Sequence, residues 1–313
     1  MTQSPTTALA LASAQTSRFR LTQRAKRNAI LVCVLLLPAV ALRLFTAIYP
    51  FFNTIWLSFH DWNPAFPPQQ FVGLKNFQAL TRDTAVTSSV SFTVLFVLVS
   101  TMLEIVLGLV IALILNRAFF GRGAVRAINL IPWAIPMVVA AVGFRWMYDT
   151  QYGIINDLLH RTIGVKVPWL VDFWGARAAV IATNVWKSTP FVGLVLLAAL
   201  QGVPHDLYEA GKVDGTNRVS AFFYITLPLI MPQVVTIGLF MVVWQLAAFD
   251  LVFAMTGGGP GFATQVLAYR IYQVAFTALN FGYASAISMV LFVVVGIASV
   301  IGLALFRKVE VSL

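Results

Sequence analysis

Residues 207–232 read LYEAGKVDGTNRVSAFFYITLPLIMP. Glu209, Lys212, Asp214 and Arg218 crowd into this stretch, while the runs on either side are long, apolar and almost free of charge. Pro204 and Asp206 start a short helix with Glu209 in its first turns, and Gly215 breaks it. Ser220, Phe222, Phe223 and Ile225 predict a second helix that ends near Pro228. A polar helix–turn–helix with a few apolar residues, set between two greasy runs, faces water between two membrane crossings. It is built to dock into a groove on a soluble partner.

The flanking runs carry that reading. The chain has 313 residues, 59% hydrophobic and 10% charged, where soluble domains hold roughly 25% charged residues. Six stretches reach the roughly 20 apolar residues needed to cross about 30 Å of hydrocarbon: Ala29–Phe51, Val90–Leu115, Ala127–Met147, Ala178–Leu200, Val234–Met255 and Ala284–Phe306. None alternates as a barrel strand does. The expected fold is an all-α membrane protein of six transmembrane helices, with residues 1–28 as a loose cytoplasmic N-terminal tail, 29–313 as the spanning domain and 203–232 as a cytoplasmic loop. Basic residues precede the first run and Ala39-Val40-Ala41 resembles a cleavage site, but apolar sequence continues to Phe52, so the first helix is expected to stay uncleaved.

Basic residues set the orientation. With both termini inside, the inner segments hold Arg18, Arg20, Arg24, Lys26, Arg27, Arg117, Arg122, Arg126, Lys212, Arg218, Arg307 and Lys308. The longer outer segments hold half as many: Lys75, Arg82, Arg161, Lys166, Arg177 and Arg270. This bias accounts for the net charge of +10 without a nucleic-acid groove, since the basic residues form no aromatic-interleaved patch.

Several chemistries are excluded. The run Gly257-Gly258-Gly259-Pro260-Gly261 has no following lysine and no strand before it, so it reads as a tight turn and not a phosphate loop. His60, His160 and His205 are far apart and without ligand-spaced partners, which predicts no metal site. Neither GxSxG nor HExxH occurs, so no catalytic residues are expected. Cys33, the single cysteine, reads as a packing residue.

Polar groups inside spans are costly and mark pathways or packing contacts. Asn184, Lys187, Ser188 and Phe191 share one face of the fourth span at i, i+3, i+4 and i+7, beside Pro190. That face mixes amide, ammonium, hydroxyl and aromatic groups, as a sugar requires; interhelical packing through small polar groups is the plainer reading. Trp244 and Gln245, with Met241 and Ala248 on the Gln245 face, and Trp133 and Met137 beside Pro132 and Pro136 extend the set. Prolines there point to a broken helix, a common way to build a site. Glu104 in the second span is either a proton relay or a hydrogen-bonded structural group; nothing in the sequence identifies a proton path.

The opening stretch also carries a pattern. Glu209-Ala210-Gly211, three residues, Gly215, nine residues, Ile225, one residue and Leu227-Pro228 resemble the EAA loop of bacterial ABC importer permeases, with Gly211 where the pattern has alanine. The likeness extends over nearly the whole chain, through Phe71-Val72-Gly73-Leu74-Lys75-Asn76-Phe77, Asn184-Val185-Trp186-Lys187 and Gly257-Gly258-Gly259-Pro260, and is greatest to MalF-like subunits of maltose, trehalose and glycerol-phosphate type importers. The resemblance implies a type I importer permease fold in the bacterial cytoplasmic membrane. Its implied partners are a second homologous permease subunit, two ABC ATPase subunits that carry ATP and magnesium, an extracytoplasmic sugar-binding protein and membrane lipid. It implies coupling to the ATPase through Glu209, Ala210, Gly211, Asp214, Gly215, Phe222, Ile225, Leu227 and Pro228. It places sugar against Trp133, Met137, Asn184, Lys187, Ser188, Phe191, Met241, Gln245 and Ala248, with no catalytic activity or cofactor in this chain.

Two rivals stand beside it. An ion-coupled secondary transporter would show internal repeats and ion sites and would not need the loop. A membrane enzyme would gather acids or histidines at one interface. Within the importer class, a polyol or glycerol-3-phosphate is the alternative cargo; phosphate calls for cavity arginines, and only Lys187 is so placed.

Overall fold

The structure is a computed structural model that describes residues 23–311; most of the expected N-terminal tail lies outside the described residues. Two compact units divide the chain at Asn53 and Thr54. In the first, α1 (Gln23–Arg43) continues through a π turn, Leu44–Ile48, into the start of α2 (Tyr49–Ser58), whose residues from Thr54 on belong to the second. Tyr49 N–H donates to Leu44 O, five residues back, immediately before Pro50. A proline lacks the N–H of the α-helical ladder and its ring crowds the carbonyl four residues earlier. One widened turn ahead of it makes room.

In the second unit, the end of α2 is followed by a hairpin in which β1 (His60–Asp61) pairs antiparallel with β2 (Gln70–Phe71), His60 opposite Phe71. Asn76, on α3 (Lys75–Leu80), donates to Ser58 O and His60 O at 2.9 and 3.0 Å and holds the hairpin in place. Asp83 then caps α4 (Thr84–Asn116), accepting from the N–H groups of Ala85 and Val86. At 1.5 Å per residue α4 is about 50 Å long, more than a bilayer core.

The third apolar run is not one helix. It forms α5 (Arg122–Asn129), α6 (Ile131–Ala134) and α7 (Met137–Met147), with a bend of 89° between the Arg122–Ala134 and Met137–Met147 pieces. Ile135 and Pro136 are extended, at ψ 133° and 137°. A residue before proline is pushed out of the helical region, and here the chain turns a corner. The amphipathic α8 (Ile154–Ile163) leads to α9 (Phe173–Gln201), the most buried of the long helices.

The loop of residues 203–232 folds into α10 (His205–Val213) and α11 (Arg218–Ala221). The expected stop at Pro228 does not occur. A π turn, Phe222–Thr226, carries α11 straight into α12 (Leu227–Leu246), and Leu227 N–H donates to Phe222 O just before Pro228. The device is the one seen before Pro50. The fifth run also breaks earlier than expected. α12 ends at Leu246, and Asp250 opens a separate short α13 (Asp250–Met255), where its charge meets the positive end of the helix. A glycine-rich turn leads to α14 (Leu267–Tyr272), a third π turn (Gln273–Thr277) and α15 (Phe281–Val311). Among the described residues, five helices are long and apolar enough to cross a membrane, and the bent pair adds a sixth crossing if it is one broken span.

The bundle is centred on α4 against α9. Gly108 and Gly193 let the two backbones approach: a Cβ on Gly108 would stand 2.9 Å from Val192 Cγ1, and one on Gly193 3.3 Å from Gly108 O. Small residues at such crossings allow close packing between spans. Above this crossing lies an apolar core containing Phe92, Phe96, Val180, Leu251 and Met255; below it lies another containing Ala112, Leu196, Ile230 and Ile237.

Candidate functional site

The two breaks open a cavity of about 710 Å3 between the corner at 133–137, the middle of α9 and the junction of α12 and α13. Trp133, Met137, Asn184, Lys187, Gln245 and Ala248 line it, six of the nine residues expected to meet cargo. The other three do not. Phe191 stacks behind Trp133, with ring centroids 5.4 Å apart and planes 13° from parallel. Met241 is buried in the apolar core beside Val192 and Leu196, and Ser188 is buried within α9. The reason is the rotation of α12. Gln245 turns back toward α4, which takes Met241 one turn earlier into the packing, so the face that opens is Phe240, Val243, Trp244 and Ala247. Their i, i+3, i+4, i+7 spacing was available as a signal. Asp250 and Phe249 also line the cavity, at a turn that no residue pattern in the sequence marks.

Glu104 is fully buried behind this wall. Its Oε1 accepts from Asn184 Nδ2 at 2.9 Å and its Oε2 from Gln245 Nε2 at 2.7 Å, which ties α4 to α9 and α12. Lys187 Nζ donates to Trp133 O at 2.9 Å. In an unbroken helix that carbonyl would pair with the N–H of residue 137; the corner frees it and the ammonium takes it. Four rings, Trp133, Phe191, Phe240 and Trp244, follow one another at centroid spacings of 5.4, 6.0 and 5.7 Å. The cavity thus has an aromatic side and a side of amide, ammonium and carboxylate groups.

The loop is the second site. Thr216 N–H and its hydroxyl both donate to Gly211 O. Gly215 adopts φ +81°, and Asn217 Oδ1 accepts from Val219 and Ser220 N–H. Tyr208 Oη lies 2.9 Å from Thr226 Oγ1 across the turn. Gly211 is where the hairpin closes: a Cβ there would stand 2.8 Å from Thr216 Oγ1 and 2.9 Å from Ile225 Cδ1. Of the residues expected to couple, Glu209, Ala210, Asp214 and Gly215 are exposed, whereas Phe222, Ile225, Leu227 and Pro228 are half-buried within the hairpin. Val213, Val219, Phe223 and Tyr224 present further exposed apolar surface.

At the other end of the bundle, Asp83 Oδ2 accepts from Arg270 Nη2 and from Tyr283 Oη, each at 2.9 Å. Burial opposes the charge on Asp83, but the bonds from Tyr283, Arg270 and Val86 N–H outweigh it and hold the carboxyl below the usual carboxylate range. Arg177 donates to Ala263 O at 2.7 Å with its guanidinium 4.1 Å over the Phe173 ring, holding the glycine-rich turn.

The binding-protein-dependent transport system inner membrane component family matches residues 104–310, which contain the loop and every cavity-lining residue named above. This chain belongs to that family. As a transport permease of this kind it is a multi-pass membrane protein. It is 40% identical over 273 residues to the trehalose/maltose transport system permease protein MalF of Thermococcus litoralis, covering 86% of this chain and 91% of that one. It is 36% identical over 264 residues to the sulfoquinovosyl glycerol transport system permease protein SmoG of Agrobacterium fabrum, covering 84% and 86%. In fold, the permease resembles a chain in the crystal structure of a bacterial alginate ABC transporter in complex with an alginate pentasaccharide-bound periplasmic protein, with TM-score 0.80 at 23% identity, covering 93% of this chain and 98% of that one. That likeness establishes the type I permease fold.

Proposed function

We propose that this permease forms the path by which a sugar crosses the bacterial cytoplasmic membrane, in an importer with a second homologous permease, two ATPase subunits and an extracytoplasmic sugar-binding protein. ATP and magnesium belong to the ATPases, and this chain has no catalytic activity of its own. Each ATPase receives one loop of the 203–232 kind, so closure of the ATPase dimer pulls the loops together and rocks the spans around the cavity. The observation that carries the reading is the two-sided cavity: rings of Trp133, Phe240 and Trp244 suit the CH faces of a sugar, and Asn184, Lys187, Gln245 and Asp250 suit its hydroxyls. Glycerol-3-phosphate fits less well, because Lys187, the one cation among the described residues lining the cavity, already donates to Trp133 O and Asp250 shares the space.

The test is co-purification from detergent-solubilised membranes followed by uptake in liposomes. The native chain should bring down an ATPase and a second permease and, with binding protein and ATP, import radiolabelled maltose or trehalose. Glu209→Lys and Gly215→Asp should lose the ATPase while keeping the second permease. A chain that purifies alone and still moves solute would overturn the reading.

A further inference from the structure

Gln245 is held in an unusual state. It is 2% exposed, its Nε2 is committed to Glu104, and its Oε1 has no hydrogen-bond partner. A buried acceptor without a donor is costly to keep. Gln245 lines the cavity, as does Asn184, which is also buried and also gives its NH2 group to Glu104. Glu104 stands behind both and does not line the cavity.

An amide has a donor end and an acceptor end and can be turned over between them. Facing a carboxyl oxygen that accepts, as both Glu104 oxygens do here, the NH2 end pairs and the reverse orientation sets oxygen against oxygen. With Oε1 facing Asn184 and Oε2 facing Gln245, Glu104 fixes both amides the same way round. Their NH2 groups are both committed to the carboxyl, and the buried Gln245 Oε1 is left without a donor.

We infer that Glu104 is a positioning residue for the cargo: it presents the Asn184 and Gln245 carbonyls as a matched pair of acceptors, so this side of the cavity selects a cargo whose hydroxyls donate. The unpaired Gln245 Oε1 is the half of a hydrogen bond that the cargo completes. Asp250 adds a further acceptor on the same cavity. A neutral, hydroxyl-rich sugar satisfies this side, whereas a carboxylate, sulfonate or phosphate placed there would set oxygen against oxygen. The inference rests on the transport reading above and names which chemical feature of the sugar is read.

The experiment uses the complete transporter in liposomes, with maltose and trehalose, their monodeoxy derivatives and the acid maltobionate as probes. KM and maximal rate are measured for the native chain and for Glu104→Gln, Glu104→Asp and Gln245→Leu. In the native protein, removal of one particular hydroxyl should lower uptake efficiency about tenfold, the worth of one hydrogen bond to a site left unpaired. Gln245→Leu should abolish that discrimination. Glu104→Gln, whose own amide lets its neighbours turn over, should weaken it and raise the relative uptake of maltobionate; Glu104→Asp should restore it in part. If Glu104 is only a structural strut, its variants will slow all probes by one common factor with ratios unchanged, and the inference falls. If the Glu104 variants fail to assemble, Gln245→Leu decides, and native discrimination in it overturns the inference. Failure of the native transporter to import either neutral sugar overturns the function reading itself, a result separate from unchanged ratios in an active transporter.

Discussion

Asp83 shows how much one residue joins. Its Oδ1 caps α4, while its Oδ2 receives Arg270 and Tyr283 from segments 187 and 200 residues away. Because its folded pKa is depressed, the stability it contributes is full above the ordinary carboxylate pKa and is lost as pH falls through the lower folded value. Melting of the detergent-purified protein should therefore show an acid limb below about pH 4. Asp83→Asn, which keeps the cap but not the charge, should lower the melting temperature at pH 7 and flatten that limb; an unchanged limb would remove Asp83 as its source. The sequence marks Glu104, Asn184 and Gln245 each as a polar residue in an apolar run, but it does not show that they meet. Their partners lie 80 and 141 residues apart, and the same letters would serve three separate packing contacts. Asp250 was harder still, since its meaning depends on a helix break that no proline or glycine announces.

Elements were legible where composition alone decides them and less so where backbone chemistry does. Twenty apolar residues dictate a span, so the long helices follow from the sequence. The corner at Ile135–Pro136 has a signal in its two prolines, but prolines do not fix an angle: Pro190 stays inside α9 without a break, and Pro228 is absorbed by the π turn before it. What a proline does depends on whether neighbouring carbonyls find other donors, as Trp133 O does in Lys187. The hairpin of residues 203–232 was legible to the residue at Gly215, where φ is +81°. Gly215→Val should cost about 1–2 kcal/mol through strain in the left-handed region. Gly211→Leu should separate α10 from Ile225. Both should lower sugar-stimulated ATP hydrolysis in the assembled transporter while leaving the melting of the spans little changed. Gly193→Val acts on a different element, because its side chain would press on Ile111 and Gly108 O at the crossing of α4 and α9. Overpacking of this kind costs about 1–3 kcal/mol, so it should lower the melting temperature of the whole bundle, and a melt equal to the native one would show that α4 and α9 have room to separate.

For the whole molecule, topology is the property on which the transport reading depends, and it turns on the bent pair. The 89° corner between Arg122–Ala134 and Met137–Met147 is compatible with a broken span, which moves the chain across the membrane, and with a re-entrant loop, which returns it to the same side. The charges separate the two. Arg117, Arg122 and Arg126 precede the corner in a short segment with no acid, while the segment after it mixes Arg161 and Lys166 with Asp149, Asp157 and Asp172. A positive-inside bias across this pair requires a crossing. Cys33 is the sole cysteine, so a Cys33→Ser background allows single cysteines at Arg122, which is half-buried, and Arg161, which is exposed. Arg161 gives up only a surface ion pair with Asp157 on replacement, which is worth little. A membrane-impermeant maleimide applied to spheroplasts should label Arg161→Cys at once and Arg122→Cys only after permeabilisation. Labelling of both from one side would make the corner a re-entrant loop, leave five crossings and place α8 on the same face as the hairpin of residues 203–232 or invert everything after it. Opposite sides put the hairpin of residues 203–232 in the cytoplasm after one further crossing by α9, where an ATPase can reach it, with the cavity between the two surfaces.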